Sequence, residues 1–339
     1  MMKAFATLTL SIAAGLLATG ASAQATLNSV KQKGSLTCGS NGSFPGFGAP
    51  DAQGNWTGLD VDLYRAIAAA IFDDPTKVQF VPLSAKDRFA AVQLGHVDVL
   101  ARNATVTMSR DTQLGLDFPV INYYDGQGFM VRKTLGVASA KELNGKLICV
   151  DQGTTTELNL ADYFRVNTMT YQPVSFPTSD EAKKAYEAGR CDAFTTDMSS
   201  LASARVQFSN PDEHVTLPEV ISKEPLGPAV RHGDNQWGDI VRWTHNAMLN
   251  AEELGITKAN VEQMKTSDNP EIKRLLGTEG KFGEAVGLTN DWAVRAIKHV
   301  GNYGEVFEKN VGEGSKLKIR RGQNALWTKG GLQYGLPIR

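Results

Sequence analysis

The chain has 339 residues, with 35 Lys plus Arg against 36 Asp plus Glu and a formal net charge of −1. That balance excludes a nucleic-acid binder built on surplus positive charge, and 42% hydrophobic residues exclude a disordered chain. No collagen or heptad period recurs, and the length exceeds what one core usually needs, so two packed units are expected.

Lys3 is followed by an apolar run over residues 4–18 and then by Ala21-Ser22-Ala23. A basic start, a short apolar core and an A-x-A exit predict a secretory signal peptide over residues 1–23, cleaved after Ala23. The run falls short of the roughly 20 apolar residues of a membrane span. No Cys follows the cleavage point to carry a lipid, so the mature chain is expected to be exported and soluble. The three cysteines are Cys38, Cys149 and Cys191; in an oxidising compartment one pair can close, and one thiol is left over. There is no C-x-x-C, and the five His lack ligand spacing, so no metal site and no cofactor are expected.

Strands and helices alternate from there on. Residues 36–39 read as a strand, 61–72 as an apolar-faced helix and 78–83 as a strand. Residues 87–94 carry Phe89, Ala90, Val92 and Leu94 near helical spacing; Gly95 stops that helix and 97–100 form a short strand. Residues 146–150 read as a strand and 157–164 as a helix. From Thr178 the same grammar returns: Ser179 as N-cap, an apolar stripe of Ala182, Ala185 and Tyr186, a stop at Gly189 and a strand over 191–195. This is an α/β chain with a mainly parallel sheet in each of two similar lobes. Such sheets bind ligands beyond the carboxyl ends of their strands, which directs attention to segments 39–47, 102–110, 151–157 and 195–199. None of them carries a nucleophile–base pair or a phosphate-loop Lys.

Three features in these segments carry charge or free amides. Arg110 sits in a first helical turn capped by Thr107 or Ser109, against the positive end of the helix dipole, so an anion is expected beside it: Asp111, a surface acid, or a ligand carboxylate held by two N–H groups. Thr154 and Glu157 fit a capping box; the same terminus presents backbone N–H groups to an anion, with Thr155 and Thr156 alongside. Asp197 precedes an apolar-spaced helix and is either its N-cap or the acceptor of an ammonium. Together they describe a site for a zwitterion.

The chain resembles the amino-acid-binding proteins of ABC import systems, the polar amino-acid branch of the periplasmic solute-binding proteins (family 3). The residues that carry the likeness are Gly58-Leu-Asp-Val-Asp-Leu63, Gly95-x-x-Asp98, Arg110, Gly153-Thr-Thr155 and Gly189-x-x-Asp-x-x-x-x-Asp197. Val300-Gly-Asn-Tyr-Gly-Glu305, Arg321-Gly-Gln-Asn324, Leu326-Trp327 and Gly330-Gly-Leu-Gln-Tyr334 resemble the tail of the general L-amino-acid-binding group. The resemblance implies a two-lobed type II periplasmic-binding fold, with a hinge of two crossing strands near residues 125–131 and 226–231 and an extended C-terminal tail. Lobe one would comprise residues 24–125 and 228–339, with the extension from about 260, and lobe two residues 126–227. It further implies Arg110 for the ligand carboxylate, Asp197 for the ammonium, Asn103 and Thr105 as hydrogen-bonding positions, and Thr155 with Thr156 at the helix terminus. Asn41 and Phe44 would stand at the mouth. Arg88 matches a position used by acidic-amino-acid binders, or is a helix-surface Arg. Because relatives often carry a further Cys near Tyr64 and this chain does not, Cys38 is expected to be free, and Cys149 and Cys191, on two strands of one lobe, are expected to bridge.

The resemblance implies capture rather than catalysis: a monomer in the periplasm closes on an L-amino acid and delivers it to a membrane permease. Two other uses of the fold are a cyclohexadienyl dehydratase and a ligand-sensing subunit of a receptor. The absence of a spare His or Glu in the four segments weighs against the enzyme. The basic cluster Lys316, Lys318, Arg320 and Arg321 reads as a solvated face.

Overall fold

The computed structural model describes residues 25–339; the expected signal peptide lies outside the described residues. Two sheets organise the chain. In the first, Leu36–Ser40 runs between Val78–Pro82 and Val99–Leu100, all parallel, with Cys38 opposite Phe80 and Val99. In the second, Leu147–Asp151 lies parallel to Gln172–Phe176 and to Ala193–Asp197, while Gln127–Arg132 and His214–Thr216 add two antiparallel strands. Each parallel strand is followed by a helix or polar loop at its carboxyl end, so the ligand-facing segments of both sheets point to one seam.

Tyr123–Asp125 pairs antiparallel with Glu224–Leu226, and these two strands connect the lobes. They lie a few residues ahead of the expected crossings. Residues 127–132 belong instead to the second sheet, because Phe129, Met130 and Val131 are fully apolar and pack into its two faces.

Within the repeated helix–strand units the expected elements form with shifted ends. The helix Arg88–Gln93 is followed by a strand of only Val99–Leu100. Thr178, not Ser179, caps Ser179–Glu187: its side chain accepts the Glu181 N–H, and Ser179 Oγ bonds the Asp151 carboxylate instead.

The tail packs on the first lobe. Trp292–Val300 lies along Leu59–Phe72, and Tyr303, Val306 and Phe307 join Phe44, Phe47 and Tyr123 in one cluster. Arg321 corrects the reading of the basic cluster. Its two Nη atoms reach the Glu252 carboxylate at 3.1 Å each, and its guanidinium lies over the rings of Tyr303 and Phe307, a two-pronged pair that a solvated Arg does not make. Asn324 then clasps the hinge strand, accepting the Tyr124 N–H at 2.7 Å and donating to its carbonyl at 2.9 Å.

Cys149, in Leu147–Asp151, forms a disulfide with Cys191, which lies two residues ahead of Ala193–Asp197 rather than on the expected strand, and Cys38 is buried and free in the first sheet. The bridge closes a loop of 42 residues in sequence. Replacing both cysteines with serine is expected to lower stability by roughly 2–4 kcal/mol, read by urea unfolding of the mature chain; an unchanged midpoint would mean the bridge does not constrain the unfolded state.

Candidate functional site

The site lies where the strand ends of the two lobes meet. From the first lobe come Arg88, Arg102, Asn103 and Thr105; from the second come Asp151, Thr154–Thr156, Thr196 and Asp197. They surround a space of about 270 Å³. The lobes touch across it: Asn103 Nδ2 donates to Asp197 Oδ2 at 3.2 Å, and the Thr105 and Thr155 hydroxyls lie 3.2 Å apart. Ser203 Oγ donates to the Pro45 carbonyl at 2.9 Å farther along the seam.

Local structure aims these groups. Gly153, at φ +70°, turns the chain from Leu147–Asp151 into the helix Thr155–Val166. Thr154 caps that helix by accepting the Glu157 N–H at 3.1 Å, while Glu157 reaches back to the Gly153 N–H at 3.0 Å. The box therefore closes one residue earlier than the usual motif, on Gly153 rather than on Thr154. Thr156 is buried against Thr154, their hydroxyls 2.8 Å apart. Asn103 adopts φ +35°, a left-handed conformation that Asn tolerates better than most residues, and this turns its amide toward Asp197.

Asp197 heads the helix Met198–Arg205, but its side chain makes no capping bond; the carboxylate faces the seam instead. Burial pushes its pKa well above the ordinary 3.8, and the nearby carboxylates of Asp125 and Glu224 add to the rise. Asp125, in the hinge strand, is raised to about 6, mainly by burial against hydrogen bonds from Ser199 and Gly126.

The three arginines are all inside. Arg88 is 2% exposed, Arg102 4% and Arg110 7%, so Arg88 is not a helix-surface residue. Arg88 donates to the carbonyls of Arg102 and Asn103, and its Nε has no partner. Arg110 is held in the short helix Met108–Thr112, capped by Thr107, and donates to the Thr105 carbonyl at 2.7 Å. Asp111 is not its counter-ion; that carboxylate lies 3.8 Å from His232. Among the described residues none of the three guanidiniums has a carboxylate within 4.0 Å. Burial lowers all three pKa values, Arg102 to about 10, while Glu224 and Asp197 act on Arg110 in the opposite sense.

Arg110 does not itself line the 270 Å³ space; it stands behind Thr105. Glu224, 1% exposed, joins this cluster and accepts from the hydroxyls of Thr105 and Thr155, from Asn159 at 2.7 Å and from Ser222 at 2.6 Å. Phe44 is stacked on Phe47 with ring centroids 4.4 Å apart, and with Asn41 and Ser43 it borders a neighbouring space of about 360 Å³ rather than the inner one. Asn41 also accepts from Ser43 and donates to Asn103 at 3.4 Å.

Arg102, Asp151 and Glu224 were not singled out in sequence. Arg102 and Asp151 open the loops after strands, so position alone marked them. Glu224 had no local signal beyond Ser222, because its other partners come from residues 105, 155 and 159.

The family model for bacterial extracellular solute-binding proteins, family 3, matches residues 36–260. Over 336 residues, 98% of each chain, the sequence is 60% identical to the general L-amino acid-binding periplasmic protein AapJ of Rhizobium johnstonii. It is 57% identical, over 97% of this chain and 98% of the other, to the glutamate/glutamine/aspartate/asparagine-binding protein BztA of Rhodobacter capsulatus. An ABC transporter periplasmic binding protein from Brucella ovis, solved with glutathione bound, superposes with a TM-score of 0.91 at 62% identity, covering 93% of this chain and 99% of that one. The two-lobed fold, the paired hinge strands and these matches agree: the chain belongs to the bacterial extracellular solute-binding proteins, family 3.

Proposed function

We propose that this chain is the periplasmic substrate-binding component of an ABC importer for L-amino acids, of broad specificity, which closes its lobes on the ligand and presents it to a membrane permease. The observation that carries the reading is the seam itself: buried arginines from one lobe face a buried Asp197 from the other, with Asn103–Asp197 and Thr105–Thr155 contacts closing the space between. A zwitterion brings to that space one group of each sign. Arg110, Thr105 and the Thr155 helix terminus take the carboxylate, and Asp197 with Asn103 takes the ammonium. Thr156 supports the terminus, Arg88 stands near the side chain, and Asn41 and Phe44 border the outer end.

Closure is a population shift driven by contacts that both lobes make to one ligand. The lobes are residues 24–125 with 228–339, and residues 126–227. The names of the curated relatives and the family support export to the periplasm; the A-x-A exit at residues 21–23 supports removal of the leader after Ala23, and the reading takes a monomer as the working form. The glutathione of the Brucella protein brings ligands longer than one amino acid within the same reading. The family and its relatives are binding proteins, which sets aside the dehydratase. Glu157, the one Glu in the four segments, is tied to Gly153 and Ser175.

Arg110→Ala strands an enclosed carboxylate at a cost of roughly 2–5 kcal/mol. Arg110→Ala and Asp197→Ala are each expected to weaken amino-acid binding at least about tenfold, or 1.4 kcal/mol; calorimetry showing wild-type affinity for both would remove the assignment. Proton linkage gives a second test. Burial holds the Asp197 carboxyl above 3.8 before ligand arrives, and an ammonium against it pulls it down. Below the raised value, binding expels a proton, so affinity rises with pH through the acid range and levels off once Asp197 ionises unaided. Titrations in buffers of different ionisation enthalpy read the released proton; a flat pH profile with no release would contradict the role of Asp197.

A further inference from the structure

Resting on the amino-acid reading above, we propose that Arg102 forms a second anion subsite, which holds the distal carboxylate of an extended ligand whose amino-acid head occupies the inner space and whose body runs into the outer groove. The ligand class is a short peptide or a side-chain-linked peptide conjugate with a free carboxyl end.

Arg102 is the wall shared by two spaces. It borders the inner one of about 270 Å³ and also an outer groove of about 790 Å³ between the lobes. The groove runs between Asn41, Trp56 and Ser84 on one side and Thr178 and Asp180 on the other. The inner space is tightly enclosed by its own walls, so a bound head group must draw on movement of the lobes. The groove continues it past Arg102 toward solvent.

The guanidinium is fixed and under-used. Its Nε donates to the Leu83 carbonyl at 2.7 Å, and Nη1 reaches Asn103 Oδ1 only at 3.4 Å. A guanidinium has five N–H donors, so most of its fork remains for a ligand. Asp151 and Asp197 act on it from the second lobe without closing an ion pair, so a cation 4% exposed still gains from a further anion. An amino acid held by Arg110 and Asp197 does not supply one to Arg102. Asp180, the acid that lines the groove, is already paired with Lys183 at 3.0 Å. A planar carboxylate matches the free fork in two-pronged geometry.

The test compares ligands that differ only at the distal carboxyl: glutathione against its glycyl ethyl ester, titrated into the full mature chain by calorimetry, with glutamate against glutamine as a second pair. Wild type is expected to prefer glutathione over the ester at least tenfold. The ratio should fall to about one in Arg102→Gln, whatever happens to absolute affinity, and should be partly kept in Arg102→Lys, which also decides the matter if Arg102→Gln does not fold. An unaltered ratio in the variants, or no preference in wild type, overturns the proposal. Dependence on Arg102 in the glutamate pair alone also overturns it, since the carboxylate then lies within the inner space. Binding of none of the four by wild type contradicts the amino-acid reading instead.

Discussion

The structure depends on a desolvated set of opposite charges divided between two halves of the chain. Three guanidiniums stand on one side of the seam, and Asp151 and Asp197 stand on the other. Each is costly to bury alone, and none is neutralised by a close ion pair of its own. The arrangement makes sense when the halves meet around a ligand that carries both signs. It also explains why these groups share backbone carbonyls, hydroxyls and amides rather than pairing directly: a tight Arg–Asp pair would leave nothing for the ligand to gain.

The hinge translates this into motion. Glu224, on one connecting strand, accepts from Thr105 of one lobe and from Thr155 and Asn159 of the other, so the strand that must bend also senses both walls. The other connecting strand is clasped at Tyr124 by Asn324 of the tail, and Tyr303 donates to the Asn122 carbonyl just before it at 2.9 Å. The extension thereby acquires a physical role. It braces the point at which the chain leaves the first lobe, through side-chain bonds that hold backbone on both edges.

Much of this was legible in the chain. The helix–Gly–x–x–Asp–strand grammar located both sheets, because periodicity and glycine stops are local. Asp98 and Asp192 in that grammar have matching tasks, each accepting the N–H at the start of a neighbouring strand, Thr37 and Leu147. Arg110 and Asp197 were singled out from their charge and place at helix starts as well as by resemblance, and the structure buries both. What escaped was set by long-range pairing. The hinge strands are only three residues each, too short for any period to declare, and Glu224 gains meaning only from residues about 65 to 119 positions away. Arg321 looked like one more surface cation because Glu252, its partner, lies 69 residues upstream.

A crystal structure of the mature chain soaked or grown with a single L-amino acid tests the central claim most directly. The account predicts the ligand at the seam, its carboxylate within hydrogen-bond reach of the residue-110 guanidinium and the threonine hydroxyls, and its ammonium on the residue-197 carboxylate, with both lobes in contact. A ligand seated elsewhere, or one lying in the seam with its two charged ends reversed, would contradict it.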